Sequence, residues 1–180
     1  MVFVGDYFAI GLVVVLCMFY FDGKTSRHYW TKADKFFVAS LLLTAMTAAT
    51  DLIAVRLMLA EDTPLALNIA ANTFYFLINI ITTSTFALFL FSKILEHAHD
   101  DHCMKKACTG LSVLFGIYLV VVISNLWNGC LFYFDESGVY HRGPLNVLGY
   151  VITIFQMCLV LICYARNRKA CSQPLQGGRS

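Results

Sequence analysis

The side chains best suited to chemistry in this sequence are polar groups that interrupt long apolar runs. Two sets repeat at helical spacing: Thr44, Thr47 and Asp51 in one run, and Asn68, Asn72, Tyr75 and Asn79 in the next. Residues three, four or seven positions apart lie on the same face of a helix. Each set therefore predicts a polar stripe, which either lines a cavity or forms hydrogen bonds between helices.

The candidates for ligand contact share an expected depth near the outer side of the molecule. They are Asp51, Arg56, Asn68, Asn72, Asn125, Tyr133, Tyr140 and Arg142. For the asparagines we favour hydrogen bonding between helices, worth about 1 kcal/mol for each bond. For Asp51 a cavity and a structural role stay equally open, because a carboxylate in lipid needs a cation, water or a proton. Arg56 follows five positions later and points in another direction, so a direct ion pair is not implied.

A second group of candidate ligands lies between two apolar segments. It comprises His97, His99, His102, Cys103 and Cys108. Imidazoles and thiols bind zinc and similar metals, but this spacing fits no known zinc finger. Short histidine-rich tracts are only compositional evidence of metal binding. We therefore predict a solvated loop here, with no metal or other cofactor.

Several function classes find no support in the sequence. It has no nucleophile elbow, P-loop, dinucleotide fingerprint or HExxH motif, so no enzymatic activity is predicted. The net charge is only +2, which does not suggest a nucleic-acid partner. The seven cysteines are odd in number and show no repeated spacing, so they do not indicate a disulfide framework.

The elements that must position these residues are long apolar segments. Of the 180 residues, 59% are hydrophobic and 13% are charged, which is far more apolar than a soluble domain. Five segments approach or exceed the roughly 20 residues that a helix needs to cross a bilayer: about 3–21, 36–60, 65–92, 107–127 and 145–165. The predicted fold is an all-α polytopic bundle of about five transmembrane helices over 1–165. A basic, flexible tail would occupy 166–180.

The basic residues predict the orientation of this bundle. All of the 13 Lys and Arg residues except Arg56 and Arg142 lie on one side of the predicted helices. By the positive-inside rule that side is cytoplasmic. The N-terminus is then outside. Since it lacks the basic region and cleavage site of a signal peptide, we expect it to begin a retained helix. The C-terminus is inside, as an odd number of helices requires.

The longest outer segment predicts a β-hairpin over 131–142. Residues 131–134 and 139–142 favour strands, and the turn-forming residues Asp135, Glu136, Ser137 and Gly138 separate them. An isolated hairpin is marginal in water, so this one is expected to pack over the helix ends as a lid. Its aromatic residues, Tyr133 and Tyr140 among them, either stack on a ligand or anchor the hairpin at the membrane interface.

A family resemblance rests on this outer region. The residues Ser124–Gly129 and Phe132–Pro144 resemble a signature of the N-terminal multi-helix membrane regions of bacterial GGDEF-type diguanylate cyclases. Similar membrane input regions occur in histidine kinases. The order of helices and the basic residues after the fifth segment also fit. The chain contains neither a GGDEF motif nor a kinase motif, so the resemblance carries no cyclase or kinase activity to it.

The resemblance implies a sensor-like module in the cytoplasmic (inner) membrane of a bacterium. Its expected partners are the lipid bilayer, a small extracytoplasmic ligand, and a cytoplasmic signalling protein or a second copy of the chain. The output would be cyclic-di-GMP or two-component signalling. The alternative is a small multi-pass transporter or channel component, in which the polar face from Asn68 to Thr85 lines a path. A purely structural fragment is a third interpretation.

Overall fold

The computed structural model describes residues 10–18, 20, 31–60, 62–98 and 101–171. Residues 10–18 form helix α1. The remaining elements are α2 (Lys32–Leu59), α3 (Leu65–Ala98), α4 (Asp101–Asn128), β1 (Phe132–Phe134), β2 (Tyr140–Arg142) and α5 (Leu148–Cys171). In the described part of the chain, four helices, α2 to α5, are long and apolar enough to cross a membrane. The first predicted span, 3–21, lies partly outside the described residues.

The surface of the helices is apolar over much of its length. Large side chains such as Val120 (67% exposed), Ile154 (64%) and Leu161 (64%) project away from the bundle. Soluble monomers rarely expose extensive apolar surface, whereas lipid tails solvate it without penalty. Together with the four long apolar helices, this surface identifies a multi-pass membrane protein.

Helix α2 begins four residues earlier than the predicted span, at Lys32 rather than 36. A capping box fixes this start. The Thr31 hydroxyl accepts a hydrogen bond from the Asp34 amide at 3.2 Å, and the Asp34 carboxylate accepts one from the Thr31 amide at 2.9 Å. These two bonds satisfy backbone donors that lack partners within the helix.

The prediction of a polar loop between 92 and 107 is wrong, because most of this segment is helical. Helix α3 continues to Ala98 and α4 begins at Asp101. With 34 residues, α3 is about 50 Å long at helical rise, so it exceeds the hydrocarbon thickness. Polar residues at its end and at the start of α4 can therefore be helical and still reach beyond the hydrocarbon.

Helix α5 is shifted from its predicted bounds of 145–165. Pro144 lies in a turn, where the Gly143 carbonyl accepts a hydrogen bond from the Asn146 amide, and the helix begins at Leu148. It continues to Cys171. The predicted boundary between helix and flexible tail at 165 is thus too early, and residues 172–180 lie outside the described residues.

Helix α3 is central, since it packs against α2, α4 and α5, whereas α4 and α5 touch each other little. Two apolar clusters hold these helices together. One contains Phe76, Tyr118 and Ile152, and it lies at what we call the hairpin end of the bundle. The other contains Phe91, Leu111 and Val160, and it lies at the opposite end. We call this the basic end because its described basic residues include Lys93, Lys105, Lys106, Arg166 and Arg168.

The predicted hairpin is confirmed as a two-stranded antiparallel sheet, in which Phe132 pairs with Arg142 and Phe134 with Tyr140. The Phe132 side chain is buried, and its ring stacks on Phe76 of α3 with centroids 5.5 Å apart. Leu131, which precedes β1, is fully buried in the same cluster. The short sheet is therefore stabilised by its packing on the helix ends rather than by its own hydrogen bonds.

Candidate functional site

A cavity of about 330 Å³ lies at the hairpin end, between the helices and strand β2. This volume falls within the usual range for small-molecule sites. Four of the predicted ligand contacts line it, one from α2, one from α3 and two from β2: Asp51, Asn72, Tyr140 and Arg142. The structure thus brings together side chains that are up to 91 positions apart in the sequence, from Asp51 to Arg142.

Two of these side chains carry opposite charges and come from different elements. Asp51 is half-buried in α2, and Arg142 ends β2 with an exposed side chain. A cavity that contains both a carboxylate and a guanidinium can bind a polar ligand at two chemically distinct points. Arg142 presents five N–H donors in a fixed plane, so it favours a carboxylate or a phosphate group.

Tyr140 adds a phenol to the same wall. Burial raises the pKa of Tyr140 above its usual value, although the nearby Arg142 charge and a hydrogen bond with Asn146 act in the opposite direction. The phenol therefore stays protonated at neutral pH and can both donate and accept a hydrogen bond. Its ring stacks on Phe132, with centroids 5.9 Å apart, and this contact fixes its position in the cavity wall.

The floor of the cavity is formed by helix side chains. The hydroxyl of the buried Tyr118 lies against Gly149, where an added Cβ would come within 3.2 Å of it. Gly149 therefore lets α5 approach the Tyr118 ring closely. On α3, the Asn79 amide donates a weak hydrogen bond to the Tyr75 hydroxyl at 3.4 Å. Both groups face the cavity, which gives its floor a polar character.

Farther from the hairpin, the polar face of α3 is engaged by neighbouring helices. The Thr82 and Thr47 hydroxyls are 2.8 Å apart and join α3 to α2. The Gln156 amide donates to the Ser84 hydroxyl at 2.9 Å and joins α5 to α3. Gln156 is fully buried. These bonds are of the kind that holds membrane helices together, and they lie beyond the floor of the cavity.

The hairpin is held over the cavity by a compact backbone arrangement. Gly129 ends α4 in the left-handed region, at φ 60°, and its amide donates to the Asn125 carbonyl. Gly143 follows β2, and its amide donates to the Leu131 carbonyl at 2.9 Å. A Cβ on Gly143 would overlap the carbonyl group of Cys130. Only glycine fits this close approach of the two chain segments.

Asn125 supports the hairpin and does not line the cavity. Its side-chain oxygen accepts hydrogen bonds from the Leu131 amide at 2.6 Å and from the Phe132 amide at 3.1 Å. The side chain is buried, with 6% of its surface exposed. Asn125 thus has a structural role, because it satisfies two backbone donors where the chain passes from α4 to β1.

Three other predicted contacts also lie outside the cavity lining. Asn68 is buried in α3, and its backbone carbonyl accepts a hydrogen bond from the Asn72 side chain at 2.9 Å. Arg56 is exposed on α2. Tyr133 lies on the outer face of β1, is 48% exposed, and stacks on His141 at 5.2 Å. Successive side chains of a strand point to opposite faces, so Tyr133 points outward because its neighbours in β1 point inward.

The cavity also contains polar residues that the sequence did not place in the site. These are Tyr75, Asn79, Tyr118, Asn146, Tyr150 and Thr153. Tyr75 and Asn79 belong to the polar stripe recognised on α3, so an extension of that stripe would have found them. Tyr118 and Tyr150 lie in apolar runs, where an aromatic residue gives no signal that separates a cavity wall from a packed core.

The histidine and cysteine candidates are dispersed along helices. His102, Cys103 and Cys108 lie in α4, at positions that span nearly two turns. His97 falls at the end of α3, and His99 lies outside the described residues. Within the described residues, no group of three or more His, Cys, Asp or Glu side chains could hold a metal ion.

Comparisons with protein-family models, with curated proteins and with solved structures find no match to this chain. The resemblance of Ser124–Pro144 to membrane sensor regions therefore stays a prediction. What the fold and the cavity establish is a multi-pass membrane protein with a mixed polar cavity at one end of its helix bundle.

Proposed function

We propose that this chain is a membrane sensor module that binds a small polar ligand in the hairpin-end cavity. The observation that carries the proposal is the shared lining of one cavity by Asp51 of α2 and Arg142 of β2. By the distribution of basic residues the hairpin end faces the outside, so the ligand would be extracytoplasmic. The likeness of the outer region to bacterial sensor regions supports the same assignment.

The cavity has a geometry through which ligand binding would change the arrangement of helices. Its walls come from α2, α3, α4, α5 and β2 rather than from one element. A ligand that bridges Asp51 and Arg142 binds best to the arrangement in which these two elements are close. Binding then shifts the equilibrium toward that arrangement, and the size of the shift is set by the difference between the ligand's affinities for the two arrangements. The helices would carry the change to the basic end, where an output partner or a second copy of the chain would respond.

The alternative of a small transporter or channel predicts a continuous polar path along α3. The inner part of that face forms the Thr47–Thr82 and Ser84–Gln156 hydrogen bonds between helices. A sensor needs only the cavity, whereas a transporter needs these contacts to open. This difference favours the sensor, and flux measurements separate the two functions.

Binding is tested first by thermal-shift screening of the purified chain in an uncharged detergent. The probes are free amino acids, dicarboxylates, polyamines and monosaccharides. We expect a compound that raises the melting temperature, with Asp51→Asn and Arg142→Gln each weakening its binding about tenfold or more, since hydrogen bonds to charged groups contribute about 1.5–3 kcal/mol. The matched control is Asp62→Asn, which makes the same charge change as Asp51→Asn at this end of the bundle but outside the cavity.

Signalling is tested with the compound bound. We expect it to alter amide hydrogen exchange at the basic ends of α3 and α5, while proteoliposomes containing the chain show no flux of the same compound. Equal effects of the cavity variants and their control would refute the binding site. Reproducible flux that is lost in Asp51→Asn would replace the sensor with a transporter.

A further inference from the structure

A second cavity, of about 520 Å³, opens at the basic end between α4 and α5. It exists because these two helices hardly contact each other, although both pack on α3. Phe91 of α3 forms its floor. Two small residues of α4, Ala107 and Gly110, line one side, and a Cβ added to Gly110 would meet no atom within 4 Å. We call this space the basic-end groove.

The two charged residues of the groove are both basic. Lys106 lies on α4, one turn from His102, and Arg166 faces the same space from α5 beside Asn167. No acidic side chain lines the groove among the residues that the structure describes. Lys106 and Arg166 are both exposed, so their charged groups are accessible to a ligand. The groove therefore complements an anion.

The polar and apolar residues of the groove lie at different depths. Its polar residues lie near the helix ends, and its apolar residues, Leu111, Leu159 and Ile162, lie closer to the middle of the bundle. From Arg166 back to Leu159 is seven residues, or about 10 Å along the helix. A free anion would need only the polar mouth. A molecule with an anionic head and an apolar chain fits both parts.

We propose that the basic-end groove binds an anionic glycerophospholipid of the surrounding bilayer. Its phosphate contacts Lys106 and Arg166, and one acyl chain lies between α4 and α5. The groove lies between two helices that are long and apolar enough to cross a membrane, so bilayer lipids would surround it. Arginine binds phosphate through paired donors and lysine as a point charge, and basic pockets between helices are suited to lipid head groups. This site is independent of the hairpin-end cavity and of the sensor function proposed for it.

The test uses the full chain in an uncharged detergent and native mass spectrometry. The probes are dioctanoyl phosphatidylglycerol, dioctanoyl phosphatidylcholine and inorganic phosphate. We expect one phosphatidylglycerol to bind, phosphatidylcholine to bind about tenfold more weakly, and phosphate at equal concentration to displace neither. The charge variant is Lys106→Gln with Arg166→Gln, which should weaken phosphatidylglycerol binding about tenfold or more, because each basic group near a membrane surface contributes about fivefold.

The control is Lys105→Gln with Arg168→Gln. It removes the same charge from the same two helices, but neither residue lines the groove. It should change the affinity by less than about twofold. Glutamine is nearly as good a helix former as lysine and arginine, so both double variants should fold. Equal weakening by the two pairs would mean that only the general surface charge attracts lipid, and the proposed site would be wrong.

A separate variant tests the apolar part. Gly110→Leu fills the groove with a side chain that meets no existing atom at its Cβ, and it leaves every charge in place. We expect it to reduce phosphatidylglycerol binding about tenfold. Unchanged binding in Gly110→Leu would contradict an acyl chain in the groove. Displacement of the lipid by equimolar phosphate, or equal affinity for phosphatidylcholine, would likewise overturn the proposal.

Discussion

The two cavities lie at opposite ends of the same helices and are lined by different chemistry. The hairpin-end cavity has a carboxylate, a guanidinium and four tyrosines around one space, and β2 forms part of its wall. The basic-end groove has cations at its mouth and apolar side chains deeper, and its described lining comes from α3, α4 and α5 alone. A folded hairpin covers one end, whereas the cavity at the other end opens between two helices in the described part of the chain.

The two linings differ in the kind of ligand that they select. A lining of both signs selects a ligand that carries complementary groups at two points, because one wrong charge there is strongly unfavourable. A lining that is basic at the mouth and apolar farther in selects an anion that carries an apolar chain. The first depends on the hairpin and the second does not. Damage to the hairpin should therefore affect one end and leave the other as an internal control.

The largest effect is expected from Gly143→Ala. The new Cβ would overlap the backbone carbonyl of Cys130, and a backbone atom cannot move aside as the end of a flexible side chain can. The hydrogen bond from the Gly143 amide to Leu131 would be lost as the two segments separate. We expect a cost of about 4 kcal/mol to the hairpin, as for severe backbone strain in a packed site. Amide hydrogen exchange in β1 and β2 measures it.

Gly116→Ala serves as the control, since its added Cβ meets nothing within 4 Å in the middle of α4. It should leave the hairpin unchanged and stabilise the helix by about 0.5–1 kcal/mol. Phosphatidylglycerol binding at the basic end should be the same in both variants. A Gly143→Ala protein with normal protection in β1 and β2 would show that the hairpin is not fixed by this close approach.

A smaller effect is expected from Asn125→Ala. The substitution removes the oxygen that accepts from the Leu131 and Phe132 amides and leaves both buried donors without an acceptor. Each such donor costs at least about 1 kcal/mol, so the loss of both acceptor contacts should cost the hairpin about 2–3 kcal/mol. Asn128→Ala is the control, because that exposed side chain accepts a hydrogen bond from the Cys130 amide, and its removal should cost less than about 1 kcal/mol.

Asn125→Ala also separates a structural role of this residue from direct contact with the ligand. A variant with a loosened hairpin and an intact basic-end groove supports a structural role. If Asn125→Ala kept normal exchange in β1 but abolished ligand binding, the result would support the prediction that Asn125 contacts the ligand. Asn125→Asp retains the acceptor oxygens, so its hairpin should be closer to the wild type than that of Asn125→Ala.

The sequence predicted the membrane helices and the hairpin because both leave local signals. Apolar length identifies a spanning segment, and the turn residues from Asp135 to Gly138 identify a reversal between strands. The helix ends were less accurate, since hydropathy changes gradually while capping is local. Thr31 and Asp34 form a capping box that is visible in the sequence and that would have placed the start of α2 correctly.

The site could be predicted only in part, because residue type and depth do not show what a side chain contacts. Asp51 and Asn72 follow from helix phase, and Arg142 from its place at the end of a predicted strand. Asn125 has the same type and depth as Asn72, but its partners are two backbone amides six and seven positions later. Tyr118 lies in an apolar run and gives no periodic signal. These assignments depend on the tertiary contacts themselves.

The smallest effect concerns pH and the exposed turn of the hairpin. The Asp135 carboxylate accepts hydrogen bonds from the Ser137 and Val139 amides at 2.9 Å, and its second oxygen is 2.8 Å from Nε2 of His141. The hydrogen bond with His141, followed by that with the Val139 amide, holds the pKa of Asp135 below its usual value. The stabilisation is thus complete above the unfolded-state pKa of about 3.9 and is lost as the pH falls through the lower folded-state pKa.

We therefore expect amide exchange at Ser137 and Val139, corrected for the intrinsic pH dependence, to accelerate below about pH 4. Asp135→Asn should remove that acceleration, because the amide does not titrate, whereas the exposed neighbour variant Glu136→Gln should retain it. The turn is solvated and screened, so the change should stay within the hairpin and leave lipid binding at the basic end intact. An identical acceleration in Asp135→Asn would assign the pH dependence to another group and break the link between this carboxylate and the order of the hairpin.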